Sequence, residues 1–112
     1  MRHWTETASI KQILLDDRPL EVLVACSPYE RTMGLLQLNS FEGAVLFQFD
    51  HEAMYPFTSE GMQFDFHINF YDGAGVLVDS MFVDKPGVVW PSRAFRYVIE
   101  SSSPLPIGNL NV

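Results

Sequence analysis

Basic residues and cysteine are both scarce in this sequence. Seven Lys and Arg stand against 14 Asp and Glu, which gives a net charge of −7 at neutral pH. Proteins that bind DNA or RNA directly usually present a basic surface, so direct nucleic-acid binding is not expected. An anionic membrane surface would repel the chain for the same reason. A single cysteine, Cys26, excludes an internal disulfide, and no Cys/His spacing typical of zinc sites is present.

Long apolar runs are also missing. No stretch approaches the ~20 apolar residues that a membrane-spanning helix needs, and residues 1–7 lack the apolar run of a signal peptide. We therefore expect a cytoplasmic protein that makes no membrane contact. The length corresponds to a single domain, residues 1–112, which would bury roughly two thirds of the surface of its unfolded chain.

The clearest pattern that the sequence does contain is the alternating stretch from Met62 to Asp72. Its even positions are large and apolar, and each odd position between them carries a group that can form hydrogen bonds. Successive side chains of a strand point to opposite faces, so this pattern predicts a strand with one core face and one polar face. Eleven residues at ~3.3 Å each span about 36 Å, about twice a typical strand, which predicts a bend or a bulge. The polar face consists of Gln63, Asp65, His67, Asn69 and Tyr71.

Turn signals divide the rest of the chain into further strands. Residues 8–26 predict a hairpin around an Asp-Asp-Arg-Pro turn. Residues 76–83 follow the turn at 72–75 and predict the partner of the long strand. A short loop would pair Asn69 with Val78, unless a bulge shifts the register.

A capping box predicts the one helix. Ser27 stands before Pro28, and Glu30 follows three residues after the serine. We predict an α+β domain that is mostly antiparallel β, a small bent sheet or barrel-like domain with one short helix at about 28–37.

Four segments, spread over about residues 10–110, resemble motifs of the DUF192 family, also called UPF0127. Residues 31–36 are similar to its "R-x-x-G-L-M" helix, and residues 43–47 to its "G-M-L-F" strand. Residues 66–73 resemble "L-D-I-x-F-x-D" followed by Gly, and residues 98–100 resemble "V-L-E". The resemblance implies a small β-rich fold and no particular chemistry.

The chain departs from the family pattern just before and within the long strand. The family's Phe-Trp-Met-Lys-Asn-Thr corresponds to residues 57–62, which read Phe-Thr-Ser-Glu-Gly-Met. His67 stands where the family carries Asp, and Asp65 stands where it carries Pro. A divergent member with a rewritten signature segment is therefore expected.

His67 is the leading candidate for a site residue. Asp65 and Asn69 flank it on the same face, at about 7 Å along the strand, and such neighbours can orient an imidazole for binding or for acid–base chemistry. An ordinary strand histidine that is hydrogen-bonded to a neighbour is the alternative. The full set of predicted ligand-binding residues is Gln63, Asp65, His67, Asn69, Tyr71, Arg31, His51 and Glu60.

A cluster of acidic residues and histidines could bind a metal ion or could simply be solvated. Asp50, His51 and Glu52 could join Asp65 and His67 as mixed nitrogen and oxygen ligands. Their spacing does not require a metal, and loop carboxylates are commonly solvated. We predict neither a metal nor a cofactor.

The favoured function is a small, non-catalytic binding module of unestablished activity. Its surface would be the polar face of strand 62–72 with the loop 50–61, and its ligand a small polar molecule or a protein partner. One alternative is an acidic inhibitor-type protein that binds a basic protein surface. Another is a hydrolase or carbohydrate-active enzyme that uses Asp65 and His67. An open hairpin edge suits a monomer or a weak homodimer.

Overall fold

The computed structural model describes residues 2–112, which form nine strands, one short α-helix and one 3-10 turn. This β-rich composition agrees with the fold predicted from the sequence. The six-residue helix is the longest in the described chain, and none there is long and apolar enough to cross a membrane. The elements are the turn Trp4–Glu6, β1 Ile10–Leu15, β2 Arg18–Ala25, α1 Pro28–Met33, β3 Ala44–Ala53, β4 Phe57–Thr58, β5 Phe66–Tyr71, β6 Leu77–Val83, β7 Val88–Val89, β8 Phe95–Ser101 and β9 Leu110–Asn111.

Seven of the strands form one sheet in the order β6-β5-β8-β3-β2-β1-β9. We predicted a mostly antiparallel sheet, but the sheet is mixed, because β2 and β3 run parallel. The reason lies in the connection between them: the chain leaves β2, passes through α1 and returns to start β3 in the same direction, as a parallel pair requires. The predicted hairpin at 8–26 is confirmed by the antiparallel pairing of β1 with β2.

The sheet curls into a half-barrel, which brings its distant parts together. The Leu110 amide in β9 donates a hydrogen bond of 2.7 Å to the Gly75 carbonyl, in the turn between β5 and β6. Gly75 has a φ of 84°, and a Cβ atom there would lie 1.9 Å from the Leu110 carbonyl oxygen. Only glycine therefore allows this contact between the two ends of the sheet.

Both faces of the sheet are covered by apolar side chains. One core contains Val45, Phe47, Ile68 and Phe70, together with residues of the loops that lie over them. The second core, on the opposite face, contains Leu15, Leu46, Tyr71, Ile99 and Leu110 among others. Within β5 the predicted polar face is therefore buried at Asn69 and Tyr71 and half-buried at His67.

The predicted strand at 62–72 is shorter than its alternating pattern indicated. Strand β5 covers only Phe66–Tyr71, and residues 62–65 form an irregular approach to it. The irregularity lies on the partner strand. Phe70 pairs with Asp79 and Tyr71 with Leu77, so Val78 of β6 is the extra residue, and Asn69 pairs with Ser80 rather than Val78. Alternation set the side-chain faces, but the neighbours in the sheet set the strand's length and register.

Helix α1 begins where the capping box predicted and ends earlier than expected. Ser27 Oγ accepts a hydrogen bond from the Glu30 amide, and Glu30 Oε1 accepts one from the Ser27 amide, both at 3.1 Å. The helix ends at Met33 because Gly34 adopts a positive φ of 51°. The Gly34 carbonyl is then free to accept a 2.7 Å hydrogen bond from the buried Trp4 indole, and the following Leu35 enters the core.

Candidate functional site

The five residues of the predicted polar face do not form one surface. Gln63 and Asp65 are exposed on the irregular segment before β5. His67 is half-buried, and its ring packs on Phe82 with the centroids 4.8 Å apart. Asn69 and Tyr71 are buried, at 1% and 0% exposure.

The side chains of Asn69 and Tyr71 are hydrogen-bonded to each other on the face of the second core. The Asn69 side-chain amide donates to the Tyr71 hydroxyl at 3.0 Å, and the Ser80 hydroxyl donates to the Asn69 side-chain oxygen at 2.7 Å. Burial raises the pKa of Tyr71, with the Asn69 hydrogen bond acting in the opposite direction. These side chains therefore stabilise the fold and are not available to a ligand.

The remaining predicted site residues are scattered, with one exception. His51 and Glu60 are exposed and lie on different segments. No group of three or more His, Cys, Asp or Glu side chains in residues 2–112 is arranged to hold a metal ion. The exception is Arg31, which lines a cavity.

That cavity lies between α1 with its following turn on one side and β3 with residues 55–58 on the other. Its volume is about 430 Å³, within the range of small-molecule sites in proteins. Most of its wall is aliphatic or aromatic, and few polar side chains reach it. The lining residues are Pro28, Arg31, Thr32, Met33, Gly34, Leu35, Leu36, Phe47, Phe49, Tyr55, Pro56, Phe57, Thr58, Met62 and Glu100.

Aromatic rings form one wall of the cavity and fix its shape. Phe57 lies edge-on to Phe47, with ring centroids 5.9 Å apart, and edge-on to Phe49 at 6.4 Å. Tyr55 stacks on Phe49 at 6.0 Å. Since each ring is held by its neighbours, the wall is organised before any ligand arrives.

Arg31 is held against this wall by backbone oxygens. Its guanidinium donates to the carbonyl oxygens of Cys26 and Gln48, the latter at 3.1 Å. Its central carbon lies 5.1 Å from the centroid of the Phe49 ring, a distance that allows a cation–π contact. Within residues 2–112 it forms no ion pair. The pKa of the adjacent Glu30 is lowered by hydrogen bonds from the Ser27 and Cys26 amides, and the charge of Arg31 lowers it further.

Glu100 is the unusual residue of the site. It lies on β8 between Val45 of β3 and Ile68 of β5, on the face of the first core, and it is only 7% exposed. Its carboxyl group makes no hydrogen bond within the described chain and lines the cavity. Burial raises its pKa to about 8, so Glu100 is mainly protonated at neutral pH.

Two solved structures are similar to this chain. One is described as a putative transcription regulator from Sinorhizobium meliloti, with a TM-score of 0.77 and 15% identity over 93% of this chain and 94% of that chain. The other is a protein of unknown function from Novosphingobium aromaticivorans, with a TM-score of 0.69 and 11% identity over 99% of this chain and 96% of that chain. At these identities the likeness shows the fold alone. No family model and no curated protein matches the chain.

Sequence reasoning found Arg31 but not Glu100. In the sequence, Glu100 appears as a polar position in an alternating strand, where solvent exposure is the ordinary expectation. The available signal was its neighbour Val98 on the same face, since a central strand with apolar residues on both faces has no exposed side. That signal becomes decisive only when β8 is known to lie between β3 and β5.

Proposed function

We propose that this protein is a non-catalytic binding module that holds a small, largely apolar ligand in the cavity between α1 and β3. One observation carries the proposal: the carboxyl of Glu100, a residue only 7% exposed, has no hydrogen-bond partner within residues 2–112 and borders a cavity of ligand size. Its oxygens are not fully enclosed by protein, so a ligand in the cavity can reach them, and a hydrogen bond to the carboxyl there would favour binding.

The wall of the cavity supports the same proposal. Ligand sites are commonly apolar with a few polar groups that fix orientation. Here the aromatic wall supplies contact area, while Arg31 and Glu100 supply two polar positions. The stretch at 50–61 was predicted to be a loop that borders the site; it instead contains the end of β3 and all of β4. Its residues Tyr55 to Thr58 line the cavity, whereas the polar face of the long strand does not contribute.

A binding function is favoured over hydrolysis by the positions of Asp65 and His67. A hydrolase of the predicted kind needs these side chains to act together in a concave site. Asp65 is exposed outside β5, and the His67 ring packs on Phe82. An acidic inhibitor of a basic protein remains a prediction from the net charge of −7.

We also propose a relation to the DUF192 family, with the cavity as the shared feature. The segments that carry the resemblance include Arg31, residues 34–36, Phe47 and Glu100, all of which line the cavity. The stretch in which this chain departs from the family, residues 57–62, contributes Phe57, Thr58 and Met62 to the same wall. Relatives with a different wall would then select different ligands. Cytoplasmic location and a monomer or weak homodimer stay predictions.

A neutral fluorescent probe tests whether the cavity binds apolar molecules. We expect Nile red to gain fluorescence with the wild-type protein, because its emission rises in apolar surroundings. Thr32 is an exposed residue of the cavity wall, so Thr32→Trp should obstruct the entrance and abolish most of the gain. Tyr29→Trp is the matched control, since Tyr29 lies on the same helix, is exposed and does not line the cavity.

Thermal unfolding with a panel of small apolar amines, alcohols and acids would identify ligands. A ligand at about 100 times its Kd adds about 2.7 kcal/mol, or roughly 4–8 °C in Tm. An equal response of wild type and Thr32→Trp to both the probe and the panel would overturn the proposed site.

A further inference from the structure

The cavity is chemically asymmetric in a way that bears on its ligand. Arg31 lines it but is already bonded to two carbonyl oxygens and a ring face. Glu100 lines it with a carboxyl group that has no partner. Burial alone accounts for the raised pKa of Glu100, without a contribution from Arg31, so the arginine charge does not neutralise this carboxyl.

We propose that the ligand is an organic cation, an amine with an apolar body, whose ammonium group pairs with Glu100 while the body contacts the aromatic wall. This inference rests on the proposed function and names its ligand class. Nothing else in the cavity wall can serve as a counter-ion for a cation.

The alternatives fit the same cavity less well. An anionic ligand could accept a hydrogen bond from the protonated Glu100, but it would enter a protein of net charge −7 and would have to compete with the carbonyl oxygens that hold Arg31. A neutral alcohol or amide could hydrogen-bond to Glu100, but a neutral bond is roughly half as strong as a charge-assisted one. A cation gains that stronger bond, and it would lie among the aromatic rings that line the cavity, which can attract positive charge.

Binding of such a cation has a proton balance. The free protein carries Glu100 as a neutral carboxylic acid at neutral pH, and the ligand arrives as an ammonium ion. The carboxyl releases its proton to solvent, and the carboxylate pairs with the ammonium without any covalent change. With a pKa of about 8, roughly 0.9 proton is released per ligand at pH 7 and about 0.1 at pH 9.

Few other titratable groups face Glu100. From α1 the cavity wall includes Arg31, and from the segment after β3 it includes Tyr55. The neighbours of Glu100 on β3 and β5 are Val45 and Ile68. Proton release between pH 7 and pH 9 is therefore assigned to Glu100.

Three probes of matched skeleton test the inference by calorimetry: phenethylamine, phenylethanol and phenylpropionate. At pH 9, where Glu100 is mostly ionised before the ligand arrives, we expect the amine to bind about tenfold or more tightly than the alcohol, as one charge-assisted bond would give, and the acid to bind weakest. At pH 7 the proton release offsets about tenfold of this preference. Titrations of the amine in buffers of different ionisation enthalpy should report proton release that declines from pH 7 to pH 9.

Two variants separate the roles of the carboxyl and the wall. Glu100→Gln should lose the amine preference and the proton release, yet keep its affinity for phenylethanol. Glu60→Gln removes an exposed carboxylate outside the cavity wall and should leave all three affinities unchanged.

The outcomes distinguish the two proposals. Amine binding without proton release, or an amine preference that survives in Glu100→Gln, would overturn the cation assignment and leave the cavity as a binding site. Failure of all three probes, together with Nile red binding that Thr32→Trp does not affect, would overturn the proposed function and with it this inference.

Discussion

Strands β5 and β8 are neighbours in the interior of the sheet, and each carries a buried polar side chain. On β5 that side chain is hydrogen-bonded within the protein, and on β8 it is not. Asn69 on β5 turns toward the second core and bonds to both Tyr71 and Ser80. Glu100 on β8 turns toward the first core, and its carboxyl forms no hydrogen bond with any residue of 2–112. Glu100 pairs with Ile68 and Asn69 pairs with Ile99. The two polar side chains therefore lie at adjacent positions of the same strand pair but on opposite faces of the sheet.

The difference separates a structural polar group from a candidate functional one. A satisfied network such as Asn69, Tyr71 and Ser80 stabilises one packing of the core. An ionisable group at the edge of a cavity whose pKa is shifted by burial is of the kind that is concentrated at functional sites. The comparison predicts that perturbing Glu100 changes pH dependence and ligand preference, whereas perturbing Asn69 changes stability alone.

The largest expected effect is the pH dependence of stability conferred by Glu100. Its pKa is about 8 in the folded protein against an ordinary 4.5, so the folded state holds a proton that the unfolded state has lost between those values. Stability should therefore fall by about 1.4 kcal/mol per pH unit as pH rises through this window, roughly 5 kcal/mol in all.

Urea unfolding at a series of pH values, from pH 5 to pH 9, measures that effect. Glu100→Gln should remove most of the downward slope, while Glu42→Gln, an exposed substitution, should retain it. The lowered pKa values of Glu30 and Asp72 act at more acidic pH, where stability is lost as pH falls. Parallel slopes for wild type and Glu100→Gln would show that Glu100 is ionised when folded.

The second effect in size is the loss of the buried network. Asn69→Ala should cost about 2–3 kcal/mol, because it leaves the Tyr71 hydroxyl buried without its donor and opens a small cavity. Its pH slope between pH 5 and pH 9 and its affinity for cavity ligands should match wild type. Chemical denaturation and probe titration measure the two quantities.

Ser80→Ala is the matched control for Asn69→Ala. Ser80 is exposed and contributes one hydrogen bond to Asn69, so a cost below about 1 kcal/mol is expected. An Asn69→Ala variant as stable as Ser80→Ala would mean that the network does not distinguish this face from the other. An altered ligand affinity in Asn69→Ala would also contradict the distinction, because Asn69 would then affect the cavity on the other face.

The smallest effect is expected for Arg31→Lys. A lysine lacks the planar fork that reaches both the Cys26 and Gln48 carbonyls, so we expect a loss of about 1 kcal/mol. Since Arg31 does not contribute to the Glu100 pKa, the pH at which stability stops falling should stay near 8. Arg18→Lys, at an exposed position at the start of β2, controls for the change of cation. If the pH at which stability stops falling moves in Arg31→Lys but not in Arg18→Lys, the charge of residue 31 does affect the pKa of Glu100.

Features that depend on neighbouring residues in the chain could be predicted. The start of α1 follows from Ser27, Pro28 and Glu30, whose hydrogen bonds span only three residues. The hairpin of β1 and β2 follows from alternation around a tight turn. A bend or bulge was predicted for the long strand from the length of the alternating stretch; the strand instead ends after six residues, and the extra residue, Val78, lies on its partner β6.

Features that depend on residues far apart in the chain could not be predicted from the sequence. The burial of Asn69 and Tyr71 requires Leu110 and Leu15 to cover their face of the sheet, and neither residue is near them in sequence. The candidate site shows the same division. Arg31 was found through a local motif, whereas Glu100 differs from an ordinary exposed strand residue only through the strands on either side.

The sequence by itself determined the β-rich class, the position of the helix start, the hairpin at 10–25 and the acidic charge, because each follows from composition or from residues a few positions apart. The tertiary structure alone decided the parallel pairing of β2 with β3, the contact between Gly75 and Leu110, and which polar side chains are satisfied. Those outcomes depend on strand order. The alternating pattern fixes which face of the sheet a side chain points to, but not which residues cover that face. Glu100 points into a cavity because β8 is central, and Asn69 points into a core because β9 and β1 curl beneath it.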